Sequence, residues 1–268
     1  MSTVTPDFLE RIVASRRAEV AETWGLLAPA DLERLACCAR ASRDFEAALC
    51  MPAVVAVIGE IKKASPSAGP IAPDVEASKQ ALHYQAGGAA AISVLTEPSV
   101  FLGSFTDLSD VADAVDVPVL CKDFIVDPVQ LFVARGHCAD AVLLMVSVLG
   151  DELASYLDLA STLRLQCLVE IVSPAELDIA VRAGASLVAV NARDLRSLHV
   201  DLAAAGPLVA EAKRVGMTVV HASGVRSRAD VEAAAAAGAD AVLVGETLMR
   251  AAFPEDVLAE LTGVPRRP

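Results

Sequence analysis

Four charged side chains stand where apolar runs stop. Glu60 and Lys62 close the run AVVAVIG, Lys122 closes VPVLC, and Glu170 closes CLV. An ammonium group can hand a proton to an oxygen and a carboxylate can take one away, so lysines and glutamates meeting in one pocket have the composition of an acid–base site. Left unpaired among apolar neighbours each such ion costs several kcal/mol, and the four are therefore expected to lie beside one another. A single Glu or Lys at such a place often serves only to satisfy loop amides; four spread over three separate segments are harder to explain that way. Asn191 and Arg193 follow a further run, SLVAV, and Ser93 lies inside AAISVL. Near the end, HASGVRS and VGETLMR set Ser223, Gly224, Gly245 and Glu246 ahead of helical stretches. Backbone N–H groups exposed there, with the helix dipole behind them, favour a phosphate, although glycines also serve simply as turn residues.

The elements that must position these groups are legible from the pattern. Eight short β-branched runs, AVVAVIGE, AAISVL, VPVLCKDF, ADAVLLMV, CLVEIV, SLVAVN, MTVVHASG and ADAVLVG, alternate with amphipathic stretches. Runs apolar on both faces and alternating with helices imply parallel strands. Eight units imply an α/β fold of the closed (β/α)8 TIM-barrel type, ahead of an open doubly wound sheet, which usually has fewer strands and often a Gly-rich first turn. In a barrel the strand C-termini form the active site, which is where the charged residues fall, and phosphate is often held at strands seven and eight. Gly88, Gly136, Gly184 and Gly238 each precede a strand, the first three at even spacing, and are expected to be left-handed helix caps. Before the first strand, PDFLERIVASRRAEVAE, PADLERLACCAR and SRDFEAALC read as helices, with Phe8, Ile12, Val13 and Val20 near one face of the first and charges opposite. We expect one domain over 1–268, with a helical extension over 1–52, a barrel over 53–262, a short last helix begun by Pro254 and Glu255, and a frayed tail.

Composition limits the functions available. The chain has 268 residues, 54% hydrophobic and only 4% aromatic, so Ala, Val and Leu fill a large core. A formal charge of −13 excludes a broad nucleic-acid or anionic-membrane surface. Any anion site must be locally basic. Six cysteines without CxxC spacing read as reduced core thiols, and neither a membrane-spanning run nor a signal-peptide pattern is present, so the protein is expected to be cytoplasmic. The expected partner is a small phosphorylated molecule, with no nucleic acid and no membrane; the chain is expected to be a monomer or weak homo-oligomer without a fused second enzyme.

The segments EIKKASPSAG, ISVLTEPSVFLGS, LCKDFIVDPVQ, LVEI, VNARDL and ASGV, with LERIVASRRAEV and RDFEAAL before the first strand, resemble the indole-3-glycerol phosphate synthase family over nearly the whole chain. That resemblance implies conversion of 1-(2-carboxyphenylamino)-1-deoxyribulose 5-phosphate into indole-3-glycerol phosphate, carbon dioxide and water, in tryptophan biosynthesis, with no metal or organic cofactor. It implies that Lys122 is the general acid, that Glu170 moves the proton in the dehydration, and that Lys62 binds substrate and assists as an acid. By the same resemblance Glu60 orients the lysines and Asn191 hydrogen-bonds the substrate or its developing hydroxyl. Ser65 and Arg193 correspond to residues near the substrate carboxylate and phosphate, and Ser223, Gly224, Gly245 and Glu246 to the phosphate cradle. Ser93, Phe101, Phe124 and Leu195 correspond to the wall around the aromatic ring, a role that plain packing would account for nearly as well.

Two positions depart from the family pattern. Where it has Glu before the Ser-Gly that follows strand seven, this chain has Ala222, which removes a carboxylate and should leave the Lys122 pKa lower than in relatives. His221 is adjacent but belongs on the opposite face of the strand. The second departure, Ala68 in place of a frequent lysine, falls at a variable position. Two rivals follow: a catalytically silent relative, motivated by Ala222, and a phosphosugar barrel such as phosphoribosylanthranilate isomerase, which would use a cysteine and an aspartate, with Cys121 the available thiol.

Overall fold

A computed structural model of the chain describes residues 7–50 and 53–267. The other positions of the expected 1–268 span, including Pro6 at the head of the first helical stretch, lie outside the described residues. The eight apolar runs form β1 (Ala56–Ile61), β2 (Ala91–Leu95), β3 (Val119–Lys122), β4 (Ala141–Met145), β5 (Gln166–Ile171), β6 (Leu187–Asn191), β7 (Thr218–Ala222) and β8 (Ala241–Val244). Each pairs in parallel with the next and β8 returns to β1, closing the (β/α)8 barrel. Two-residue alternation sorts the side chains. Val57, Ile61, Ile92, Val94 and Val142 pack outward with the helices, while Ala56, Ile58, Leu120, Leu143 and Leu168 fill the interior.

The extension supplies α1 (Phe8–Thr23), α2 (Pro29–Cys37) and α3 (Phe45–Cys50). The short α3 plugs the barrel's N-terminal mouth: Phe45 and Leu49, wholly buried, join Ala56, Ala91, Ala141 and Ala241, which sit at the starts of their strands. Glu46 ties it there, its N–H donating to Gln166 Oε1 at 2.9 Å and its carboxylate accepting from Thr218 and Ser186. Helix α1 lies at the other end, its Leu9, Ile12 and Val20 in one cluster with Phe124 and Met145. The expected face of α1 is corrected by one residue type: Arg16 is buried on it, while Phe8 and Val13 are only half-buried. Arg16 survives there because Asp123 meets it with two bonds, Nε to Oδ1 at 2.9 Å and Nη2 to Oδ2 at 2.6 Å.

Around the barrel run α4 (Ala77–Ala86), α5 (Phe105–Ala114), α6 (Val129–Gly136), α7 (Leu153–Thr162), α8 (Pro174–Ala183), α9 (Leu202–Arg214), α10 (Arg228–Ala237) and α11 (Pro254–Leu261). Gly184 and Gly238 are left-handed caps at φ +85° and +99°, and Gly88 is left-handed one residue past its cap. Gly136 is not a cap. It ends α6 in helical conformation, the left-handed residue being Cys138, and a Cβ on Gly136 would come within 2.3 Å of Leu35. Its small size lets α2 close on α6.

The tail is pinned, not frayed. Val264 is buried, its carbonyl accepts from Val55 N–H at 2.8 Å, and Arg266 reaches Asp240 and the Cys50 carbonyl. Asp240 also accepts from Val219 N–H and Lys213. Asp140 repeats this half a barrel away, accepting from Val119 N–H at 2.8 Å and from both Nη atoms of Arg40. The cysteines are all unpaired, but only Cys121 is fully buried; Cys37 and Cys38 are exposed. No described helix is long and apolar enough to cross a membrane.

Candidate active site

The strand C-termini surround a cavity of about 310 Å³. Glu60 is the last inward residue of β1 and Lys62 stands two residues on, so both reach the same side, with Lys62 Nζ 2.6 Å from Glu60 Oε1. Lys122, from the end of β3, brings its Nζ to 3.4 Å from Glu60 Oε2. Glu170 enters from β5 and Asn191 from β6, and both line the same cavity. The close pairing of Glu60 and Lys62 depends on the neighbouring turn: a Cβ on Gly245, after β8, would fall 2.4 Å from Glu60 Oε1 and 2.9 Å from Lys62 Nζ.

Burial and neighbours set these charges apart. Burial pushes the Glu60 carboxyl up, but the two lysines more than reverse it, leaving a pKa of about 2. Burial works against the Lys122 ammonium, and the attraction of Glu60 and Glu170 outweighs it, so Lys122 is held protonated above the ordinary 10.5. Glu170 goes the other way. Burial dominates there, Lys122 and the Asn191 side chain recover only part, and the carboxyl titrates above the ordinary 4.5. One fixed anion, one fixed cation and one carboxyl displaced toward neutrality make a set able to donate and accept protons in sequence.

At the far side, Ser223 and Gly224 take φ of +69° and +83°, a turn that exposes backbone N–H groups, and Thr247 Oγ donates to the Val225 carbonyl at 3.3 Å, joining the turns after β7 and β8. Glu246 lines the cavity there and pairs with Arg250 at 2.9 Å. Ser65, from the short hairpin of Ala64–Ser65 with Gly69–Pro70, lines the mouth, its Oγ accepting from Ala68 N–H. Arg193 lines it from beyond β6, with Nη1 donating to the Leu198 carbonyl at 3.0 Å. Phe101 and Phe124, with centroids 6.2 Å apart, and Leu195 form an apolar wall.

Of the residues singled out by sequence, only Ser93 is absent from the lining. It pairs with Glu60 across β1 and β2 and is wholly buried in the barrel interior. Sequence reasoning passed over Arg226 and Arg250, two exposed arginines at the rim, together with Pro66 and Ser67. The positions of the arginines just beyond the two glycine turns were the available signal. Ala222 lines the cavity, whereas His221 is buried outside it, with Nδ1 unpaired and its pKa lowered by burial. Cys121 also faces away from the cavity, among outward residues, and burial pushes its thiol up to about 12. That removes the thiol on which the isomerase rival depended.

Comparison with known proteins agrees in one direction. The family model described as Indole-3-glycerol phosphate synthase matches residues 9–261. A relative from Rhodococcus opacus named indole-3-glycerol phosphate synthase is 43% identical over 261 residues, covering 97% of this chain and 96% of that one. Another of that name, from Micrococcus luteus, is 45% identical over 255 residues, covering 93% and 95%. Among solved structures, a tryptophan synthase from M. tuberculosis is similar at TM-score 0.63 and 19% identity, over 83% of this chain and 97% of that one. A 3-hexulose-6-phosphate synthase gives TM-score 0.63 and 19% identity, over 77% and 98%. Those distant likenesses bear on the fold alone, but the match of family model and relatives across the chain's length means that this chain belongs to the indole-3-glycerol phosphate synthase family.

Proposed function

We propose that Lys122, Glu170, Lys62, Glu60 and Asn191 carry out the family reaction in this cavity, on 1-(2-carboxyphenylamino)-1-deoxyribulose 5-phosphate. The phosphate sits between the Ser223–Gly224 and Gly245–Glu246 turns, with Arg193 and Lys62 nearby, and the aryl ring lies toward Phe101, Phe124 and Leu195. The aryl carbon bearing the carboxylate attacks the ketone carbon, and Lys122 gives its proton to the ketone oxygen as the bond forms. Breaking the bond to the carboxylate releases carbon dioxide and restores aromaticity. The new hydroxyl then leaves as water, with Glu170 moving the proton and Asn191 holding the hydroxyl. Glu60 stays ionised and keeps the two ammonium groups apart and oriented.

The observation that carries this reading is the charge cluster: Glu60 within 4 Å of both lysines, and Glu170 lining the same cavity. The test is direct. Purified protein incubated with the carboxyphenylamino deoxyribulose phosphate should produce a rising indole fluorescence; a flat trace from folded protein rejects the reading in favour of a silent relative. The reaction is assigned to the cytoplasm, in keeping with six unpaired cysteines.

Ala222 bears on how fast it runs. The cavity is lined by Lys62, Lys122, Arg193, Arg226 and Arg250 against Glu60, Asp123, Glu170 and Glu246, and Arg16 already engages Asp123. There is charge to spare for one more carboxylate. Ala222→Glu is therefore expected to keep kcat within about twofold or to raise it, by adding an anion that favours protonated Lys122. A large loss in steady-state turnover would mean that the surroundings have been rebuilt around alanine.

A further inference from the structure

Glu97 is 1% exposed and does not line the cavity, yet its carboxylate is fully engaged. Oε1 accepts from Ser99 N–H at 2.8 Å and from the Ser99 hydroxyl; Oε2 accepts from Val100 N–H at 2.8 Å and from Phe101 N–H at 3.0 Å. One side chain thus organises the backbone of the loop that follows β2. The loop then closes on itself, with Gly103 N–H donating to the Glu97 carbonyl at 2.9 Å. Gly103 packs so tightly that a Cβ there would lie 2.1 Å from the Leu95 carbonyl oxygen, and Leu102 beside it is left-handed at φ +56°.

This knot is anchored at one end to the chemistry and at the other to the mouth. Thr96 N–H donates to the Lys122 carbonyl at 3.1 Å, and its hydroxyl to Asp123 at 2.6 Å. The Phe101 carbonyl accepts from Ala64 N–H at 3.2 Å, which holds the hairpin that carries Ser65. The Phe101 ring itself faces the cavity beside Phe124. A buried ion is an expensive way to shape a loop that solvent could serve. Its return is rigidity, because a carboxylate binds several N–H groups more strongly than a neutral acceptor does.

We propose that Glu97 is a positioning residue for the reaction, fixing the Phe101 ring and carbonyl so that the aryl end of the substrate meets a preset wall. This rests on the reading above that the aryl ring lies toward Phe101 and Phe124. The phosphate end, built from the turns after β7 and β8, does not depend on it, and that separation makes the idea testable.

Glu97→Gln keeps the volume but sets an amide N–H₂ against N–H donors. It should raise KM about tenfold with kcat changed less than about threefold, the loss of a hydrogen bond to a charged group. The inhibition constant of inorganic phosphate, a probe of the other end, should stay within about twofold of the unaltered protein. Phe101→Leu, which leaves the carboxylate and its donors in place, should raise KM by itself, and in that background Glu97→Gln should add less than about twofold. Where the glutamine variant does not fold, Glu97→Asp, with the charge kept and its reach shortened, should move KM in the same sense. Fully additive effects, an equal rise in the phosphate inhibition constant, or an unchanged KM in Phe101→Leu overturns the proposal. Absence of turnover in the unaltered protein would instead remove the function on which it rests.

Discussion

Lys122→Ala is expected to lower kcat by about 10³-fold while KM moves by less than about threefold, because a group that gives up its proton as a carbon–carbon bond forms acts mainly on the transition state. The neighbours of Lys122 make the case. Glu60 lies 3.4 Å away and Glu170 adds a second attraction, so the ammonium is kept loaded despite its burial. Steady-state kinetics by indole fluorescence measure it. Turnover surviving within about twofold would take the acid role from this residue.

Glu170→Gln is expected to cost about 10²-fold or more in kcat, again with little change in KM, and it carries a second signature in the pH profile. A carboxyl that must accept a proton works only when ionised, and burial raises the Glu170 pKa above 4.5. The unaltered protein should therefore lose rate as pH falls, at a higher pH than an ordinary carboxylate would give, and the glutamine variant should lack that acid limb. On the alkaline side the sign is opposite. Lys122 must stay protonated, and Glu170 is one of the two charges that raise its pKa, so its removal should move the alkaline limb downward. An alkaline limb that moves upward, or an acid limb that persists unchanged in the variant, contradicts the assignment.

The parts of the molecule that could be read from residues alone were those governed by periodicity. Buried parallel strands leave runs such as AVLLM and LVAVN, and eight of them left the barrel little alternative. Placement of the charged groups followed, since two-residue alternation puts Glu60 and Lys62 on one side and Ala222 and His221 on opposite sides. What periodicity does not encode was missed. Arg16 falls four residues from both Ile12 and Val20, a spacing that pointed inward, but a charge in that series reads as solvated until Asp123 is known to face it. Gly136 looked like its three counterparts because a cap and a close approach call for the same residue, and only the position of Leu35 separates them.

Tail and rim arginines failed for a related reason. Val264 and Arg266 follow a helix with no pattern of their own, and their order comes from distant partners, Val55 and Asp240. Arg226 and Arg250 belong to the cavity through the turns after β7 and β8, which have no strand or helix period to mark them. Ser93 shows the converse. Alternation put it inward correctly, but an inward side chain need not reach the cavity: Ser93, the register partner of Glu60, is wholly enclosed by its neighbours and is absent from the lining.

The matched aspartates of the lower rim divide the molecule's labour. Asp140 grips the segment after α2 and Asp240 grips the tail, so both strap-like segments fasten at the face remote from the chemistry. Robustness and reactivity are thereby vested in opposite ends of the same eight strands. Changes that toughen or loosen the one can accumulate over generations while the other is left free to drift toward new substrates.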